Sequence, residues 1–173
     1  MVSVGDNAPD WIAPALVDGG GEYVDLVSRV RTNDAVVLLF APADFVDSCT
    51  AEWVAVSVAG WHRHENLAVL GLTGDSLFSH RAYVERTAIP FPLVSDFHGA
   101  VADQYDLLLD EWEGHRDIPA RATVVIDGNW DVLACETAGP LDHVSPTPVE
   151  SAVPALADCG IAVESPAVEY DTV

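Results

Sequence analysis

The sequence predicts one α/β domain, a mixed central β-sheet with helices on both faces and an N-terminal β-hairpin. Three observations lead there: a continuous apolar run at residues 35–40 with a second buried strand at 67–73, a helix-length stretch after each, and Gly-rich turns between short strands near both ends. With 173 residues, half of them apolar, the chain can bury a single sizeable core.

The elements follow in order. Trp11 to Val17 and Glu22 to Leu26 read as strands, joined by the turn Asp18-Gly19-Gly20-Gly21. Ala35 to Phe40, rich in β-branched residues, reads as a strand buried on both faces. A loop over 41–47 leads to a helix from Cys49 to about His64, where Trp53, Val56 and Gly60 recur at helical spacing. Leu67 to Thr73 is a second buried strand and Ser76 to Thr87 a second helix, with Pro90 and Pro92 marking a break before Leu93-Val94. Asp96 to Tyr105 predicts a short helix, and the acidic stretch 110–117 an exposed loop. Thr123 to Ile126 and Asp131 to Cys135 form a second hairpin across Asp127-Gly128-Asn129-Trp130. A last helix spans about 147–158, bent by Pro154, so the domain is expected over 1–163 with an acidic, flexible tail over 164–173.

Composition narrows the function. Twenty-eight Asp and Glu face seven basic residues, all Arg, for a formal charge of -21. Such a surface repels phosphate backbones and anionic lipid, which disfavours nucleic-acid and membrane partners. Carboxylates without Lys resemble the surfaces of proteins from salt-loving organisms, where salt screens the self-repulsion. No apolar run reaches the ~20 residues of a membrane span, and the start lacks a basic leader with a long apolar core, so a cytoplasmic location is expected. Cys49, Cys135 and Cys159 are too few and too far apart for a disulfide framework or a zinc site. His62 and His64, two apart on a helix, point to different faces and are read as surface residues rather than metal ligands.

The informative segment is Pro42-Ala43-Asp44-Phe45-Val46-Asp47-Ser48-Cys49-Thr50-Ala51-Glu52, which joins the central strand to the first long helix. The unpaired amides and dipole of a helix start favour a thiolate at Cys49, the nucleophilic form. Asp44, Asp47 and Glu52 oppose this through like charge, so the site requires a nearby cation. Without one, Cys49 is a small buried hydrophobe.

These residues resemble the peroxiredoxin signature, which places Pro seven positions before the reactive Cys, an aromatic residue four before, a hydroxyl three before, Thr directly after and Glu three after. Pro42, Phe45, Cys49, Thr50 and Glu52 fit; Val46 stands where the hydroxyl belongs. Ile118-Pro119-Ala120-Arg121-Ala122-Thr123-Val124-Val125-Ile126-Asp127 is similar to the family's second element and supplies the cation as Arg121. Val4 to Asp10 and Phe91 to Asp96 are similar to family segments at the same relative places, so the resemblance covers about residues 3–160.

The resemblance implies a thioredoxin-like fold and reduction of hydrogen peroxide or organic hydroperoxides through a sulfenic acid at Cys49. Arg121 would hold the thiolate and the peroxide oxygens, Glu52 would orient Arg121, and Pro42 would shield the pocket. It implies no cofactor and no metal, an external thiol or thioredoxin-like reductant as partner, and a homodimer. Cys159 stands roughly where some members keep a resolving cysteine, without the Val-Cys-Pro context; a one-cysteine cycle is preferred, with a Cys49–Cys159 disulfide as the runner-up. Cys135 reads as a core residue. The alternative to the peroxidase is a weakly active or non-catalytic redox sensor or interaction module that keeps the fold, since Val46 cannot donate a hydrogen bond.

Overall fold

The structure, a computed structural model, describes residues 1–170; the last three positions of the expected tail lie outside the described residues. Among the described residues nine strands and six α-helices follow one another: β1 (Ile12–Val17), β2 (Gly20–Asp25), α1 (Leu26–Thr32), β3 (Ala35–Ala41), α2 (Asp47–Val58), β4 (Leu67–Thr73), α3 (Leu77–Thr87), β5 (Leu93–Ser95), α4 (Ala100–Gln104), β6 (Leu108–Trp112), β7 (His115–Pro119), β8 (Arg121–Asp127), β9 (Val132–Ala138), α5 (Pro148–Ser151) and α6 (Val153–Asp158). Seven strands form one sheet in the order β2-β1-β5-β4-β3-β8-β9. β3, β4 and β5 run parallel, while β8 pairs antiparallel with β3 and β9 with β8.

Every residue of β3 is buried, as expected for a strand covered on both faces. Its alternate side chains feed two cores. Ala35, Val37 and Leu39 pack with Trp53 and Val56 of α2, Tyr83 of α3 and Leu156 of α6. Val36, Leu38 and Phe40 face α1 and α4 through Leu26, Val30 and Val101. Gly71 of β4 is where the first core closes tightest: a Cβ there would lie 2.7 Å from the Trp53 ring and 2.8 Å from Leu93.

Several expectations differ from the structure in instructive ways. Leu26 does not end a strand; Asp25 caps its amide-rich turn, accepting from Ser28 N, and starts α1. The first long helix begins at Asp47, two residues early, and stops at Val58 because Gly60 takes a left-handed φ of 75° before a 3-10 turn over Trp61–Arg63. The acidic loop of 110–117 is instead part of a separate two-stranded ribbon, β6 with β7. The last helix is divided at Ala152 into α5, closed by a Thr147–Glu150 capping box, and α6 with Pro154 in its first turn. Residues 164–170, expected as a tail beyond the domain, lie against it: Pro166 is buried and Val168 packs on the first core.

Candidate active site

The site is built where β3 hands over to α2. Pro42 is buried, and its carbonyl accepts the Gly74 N–H at 3.2 Å. Asp44 then folds into the protein rather than towards the helix. Its carboxylate accepts Thr73 Oγ1 at 3.1 Å and Ser79 Oγ at 2.7 Å, and pairs with His80 Nδ1 at 2.9 Å, all buried or half-buried. Asp75 accepts the Asp44 N–H at 2.7 Å. This clamp lets Phe45 adopt a strained φ of 63° and sets Val46 as the N-cap of α2. Cys49 is therefore the third residue of the helix, 2% exposed, in the same core cluster as Val46 and Trp53.

Arg121 arrives from the neighbouring strand. Phe40 pairs with Ala122, so the first residue of β8 stands beside the C-terminal end of β3, at the foot of α2. Its side chain is 1% exposed. A guanidinium has five N–H donors. Nε donates to Glu52 Oε1 at 3.0 Å, and one Nη2 proton goes to the same oxygen. Nη1 donates to the carbonyls of Gly139 at 3.0 Å and Asp142 at 2.6 Å. The second Nη2 proton goes to the phenol oxygen of Tyr170 at 3.0 Å. All five are used, and none remains for the Cys49 sulfur.

Electrostatics follow from this closure. Burial, with Glu52 adding to it, pushes the Cys49 thiol from 9.0 up to about 12, and the nearby charge of Arg121 offsets only part. Burial also raises the Glu52 carboxyl, against the pull of Arg121. Glu52 is thus the carboxylate that opposes the thiolate; Asp44 is taken up by His80, and Asp47 is exposed. Burial therefore favours the thiol over the thiolate at Cys49, near a guanidinium whose N–H groups are engaged elsewhere.

The AhpC/TSA family model matches residues 4–134, which span Pro42, Cys49, Glu52 and Arg121. The chain belongs to the AhpC/TSA family. Among relatives, it is 37% identical over 136 residues to the thioredoxin-dependent peroxide reductase, mitochondrial, of Drosophila melanogaster, covering 74% of this chain and 56% of that protein. The 2-Cys peroxiredoxin BAS1, chloroplastic, of Hordeum vulgare is 33% identical over 137 residues, covering 72% and 60%. The chain therefore spans well under two thirds of the length of these two relatives. Among solved structures, the reduced 2-Cys peroxiredoxin of Plasmodium vivax superposes with a TM-score of 0.70 at 27% identity, over 82% of this chain and 88% of that one. Mycobacterium tuberculosis AhpC, at 20% identity and a TM-score of 0.73 over 91% and 98%, shows the shared thioredoxin-like fold.

Within this AhpC/TSA site the residues singled out by sequence divide into two groups. Glu52 and Arg121 form a buried pair near Cys49 at the start of α2, and Pro42 opens the loop that leads into that helix. Cys159 lies elsewhere, after α6, in a surface pocket with Asp34, Asp127 and Asp158. Burial and these three carboxylates push its thiol up, which makes it a poor attacking group. Cys135, in β9, packs against the second core, and burial raises its thiol to about 11. Ser48, whose Oγ donates to the Pro140 carbonyl, also lies against the Cys49 sulfur and lowers its thiol, though by less than burial raises it. Among the described residues no three His, Cys, Asp or Glu side chains form a metal-binding group.

Sequence reasoning missed three parts of the site. The Asp44–His80 clamp joins residues 36 apart, and only the β3–β4–α3 topology brings them into contact. Tyr83 donates to Thr50 Oγ1 at 2.9 Å, tying the residue after Cys49 to α3. Tyr170 is the one aromatic residue of the acidic terminal stretch, which was the available signal.

Proposed function

We propose that the protein is a thiol peroxidase in which Cys49 reduces hydrogen peroxide or an organic hydroperoxide. The observation that carries this reading is the placement, in an AhpC/TSA chain, of a cysteine in the first turn of α2 beside a buried Arg121–Glu52 pair. The Cys49 thiolate attacks the terminal peroxide oxygen, the O–O bond breaks, and its electrons leave on the second oxygen, which takes a proton as water or alcohol. Sulfur is oxidised to sulfenic acid and the peroxide is reduced. Arg121 stabilises charge on the oxygens as the bond breaks, and Glu52 fixes its orientation. Pro42 walls the pocket and has no N–H to compete for the ligand.

An external thiol then attacks the sulfenic sulfur, releasing water and forming a mixed disulfide that a second thiol reduces. The carboxylates around Cys159 support this one-cysteine cycle over a Cys49–Cys159 disulfide. A thioredoxin-like protein fits as reductant, since the Drosophila relative is named thioredoxin-dependent. Three free thiols suit a reducing compartment, and the lysine-free acidic surface suits a salt-rich cytoplasm. A homodimer is proposed on likeness to the family alone.

The sealed sulfur and Val46 favour one second reading, a redox sensor that oxidises once and reports its state. Peroxide consumption with excess dithiol separates the two. A peroxidase turns over many times and Cys49→Ser stops it; a single stoichiometric oxidation supports the sensor instead.

A further inference from the structure

The described end of the chain is built into the site. Trp61 Nε1 donates to the Glu164 carbonyl at 2.8 Å, Pro166 is buried, and Val168 packs on the core cluster that contains Cys49. Ala167 and Glu169 face Thr50 and Ala51, the two residues after Cys49, across a groove of about 770 Å³. Tyr170 then reaches Arg121. Its ring stacks on His143 with centroids 4.1 Å apart and an interplanar angle of 2°, and the guanidinium carbon lies 5.9 Å from the ring centroid. Its hydroxyl accepts from Arg121 Nη2 at 3.0 Å and donates to the Val144 carbonyl at 3.2 Å.

Because all five guanidinium N–H groups are engaged, a thiolate or peroxide oxygen can gain one only by displacing a partner. The partners are not equal. Removing Glu52 would leave two buried charges unpaired. The Gly139 and Asp142 carbonyls belong to the backbone after β9 and leave only if that segment moves. The Tyr170 phenol belongs to the terminal segment, and its hydrogen bonds to Arg121 and to the N–H and carbonyl of Val144 can pass to water without breaking an ion pair.

We propose that Tyr170 is a gate on Arg121: segment 164–170 closes the Cys49 site at rest, and release of the phenol bond frees the guanidinium N–H that the sulfur and peroxide use. This rests on the peroxidase reading for its role, but not for its test. The protonated, buried state of Cys49 in the closed geometry agrees with it. Sequence gave the terminal stretch no role in the site; the hydrogen bond to Arg121 gives it one.

The test is Tyr170→Phe in the full chain, which keeps the ring and removes only the phenol oxygen. Native alkylation by iodoacetamide, followed by peptide mass spectrometry, reads Cys49 with Cys135 as the internal reference. The gate predicts Cys49 alkylation faster by about tenfold, the lower end of what one hydrogen bond to a charged group is worth, with Cys135 unchanged. An unchanged or slower Cys49, or both cysteines accelerated together as in general loosening, overturns it. Oxidation by hydrogen peroxide is measured in parallel. Faster alkylation without peroxide oxidation in either protein upholds the gate and sinks the peroxidase; oxidation with no acceleration in either assay does the reverse.

Discussion

One oxygen of Glu52 receives two N–H groups of Arg121, from Nε at 3.0 Å and from Nη2, and both side chains are buried. Glu52 stands three residues after Cys49 on α2, hence on the same side of the helix. The helix that carries the sulfur thus also carries the carboxylate that holds the cation beside it.

Removing one member of that pair strands the other. Glu52→Ala is expected to cost about 3–5 kcal/mol of folding stability, the usual consequence of an uncompensated buried charge. Urea unfolding of the variant beside the wild type measures it. A loss under about 1 kcal/mol would mean that Arg121 finds solvent easily.

Val46 is both the N-cap of α2 and a neighbour of Cys49 in the core, and no side chain caps the helix there. Val46→Thr keeps the volume and adds a hydroxyl. As an N-cap it should stabilise the helix by about 0.5–2 kcal/mol. As a donor near sulfur it should raise the rate of Cys49 oxidation by about ten- to a hundredfold. Stopped-flow fluorescence with hydrogen peroxide reads the rate, and no acceleration would show that the hydroxyl does not reach the reacting atoms.

The buried thiol also predicts an alkaline weakness. Burial holds the folded-state value of Cys49 at about 12 against an ordinary 9.0, so from pH 9 upward the unfolded chain releases a proton that the folded chain keeps. Stability then falls as pH rises through that window, by about 1.4 kcal/mol per unit for this one group, and the contribution is fully present below pH 9. Burial raises Cys135, Tyr83 and Tyr105 too, so the Cys49→Ser variant keeps some slope from them. Urea midpoints across this range should fall less steeply in Cys49→Ser; parallel curves would contradict a protonated sulfur in the folded state.

Much of this was legible in sequence, and the reasons are local. Ala35–Ala41 is apolar without interruption and Leu67–Leu72 carries no polar side chain, as a strand covered on both faces requires. Pro42, Cys49 and Glu52 were singled out by their spacing after β3 and Arg121 by its place at the start of β8, the strand that pairs with β3. What sequence missed depends on polar contacts at long range. The β6–β7 ribbon is built from Leu108–Trp112 and His115–Pro119, whose charged and half-exposed residues show no apolar alternation. Asp44 read as a charge opposing the thiolate, because its hydrogen-bonding partners, His80, Thr73 and Ser79, are brought in by the fold alone. Tyr170 shared the composition of a frayed terminus, and its partner Arg121 lies 49 residues earlier.

Packing beneath α2 supplies a further check. A methyl group on Gly71 would press on Trp53 and Leu93, both well buried. Gly71→Ala should therefore destabilise the fold by about 1–3 kcal/mol through overpacking. Because Trp53 lies one turn beyond Cys49, its fluorescence spectrum should shift as well; an unaltered midpoint and spectrum would mean that the ring moves aside freely.

The identity of the reacting sulfur is tested most directly by adding one equivalent of hydrogen peroxide to the reduced protein, trapping sulfenic acid with dimedone, and mapping the adduct by mass spectrometry. The expected result is an adduct on Cys49 that disappears when Arg121 is replaced in Arg121→Met, with Cys135 and Cys159 unlabelled. An adduct on Cys135 or Cys159 while Cys49 stays reduced would contradict the account.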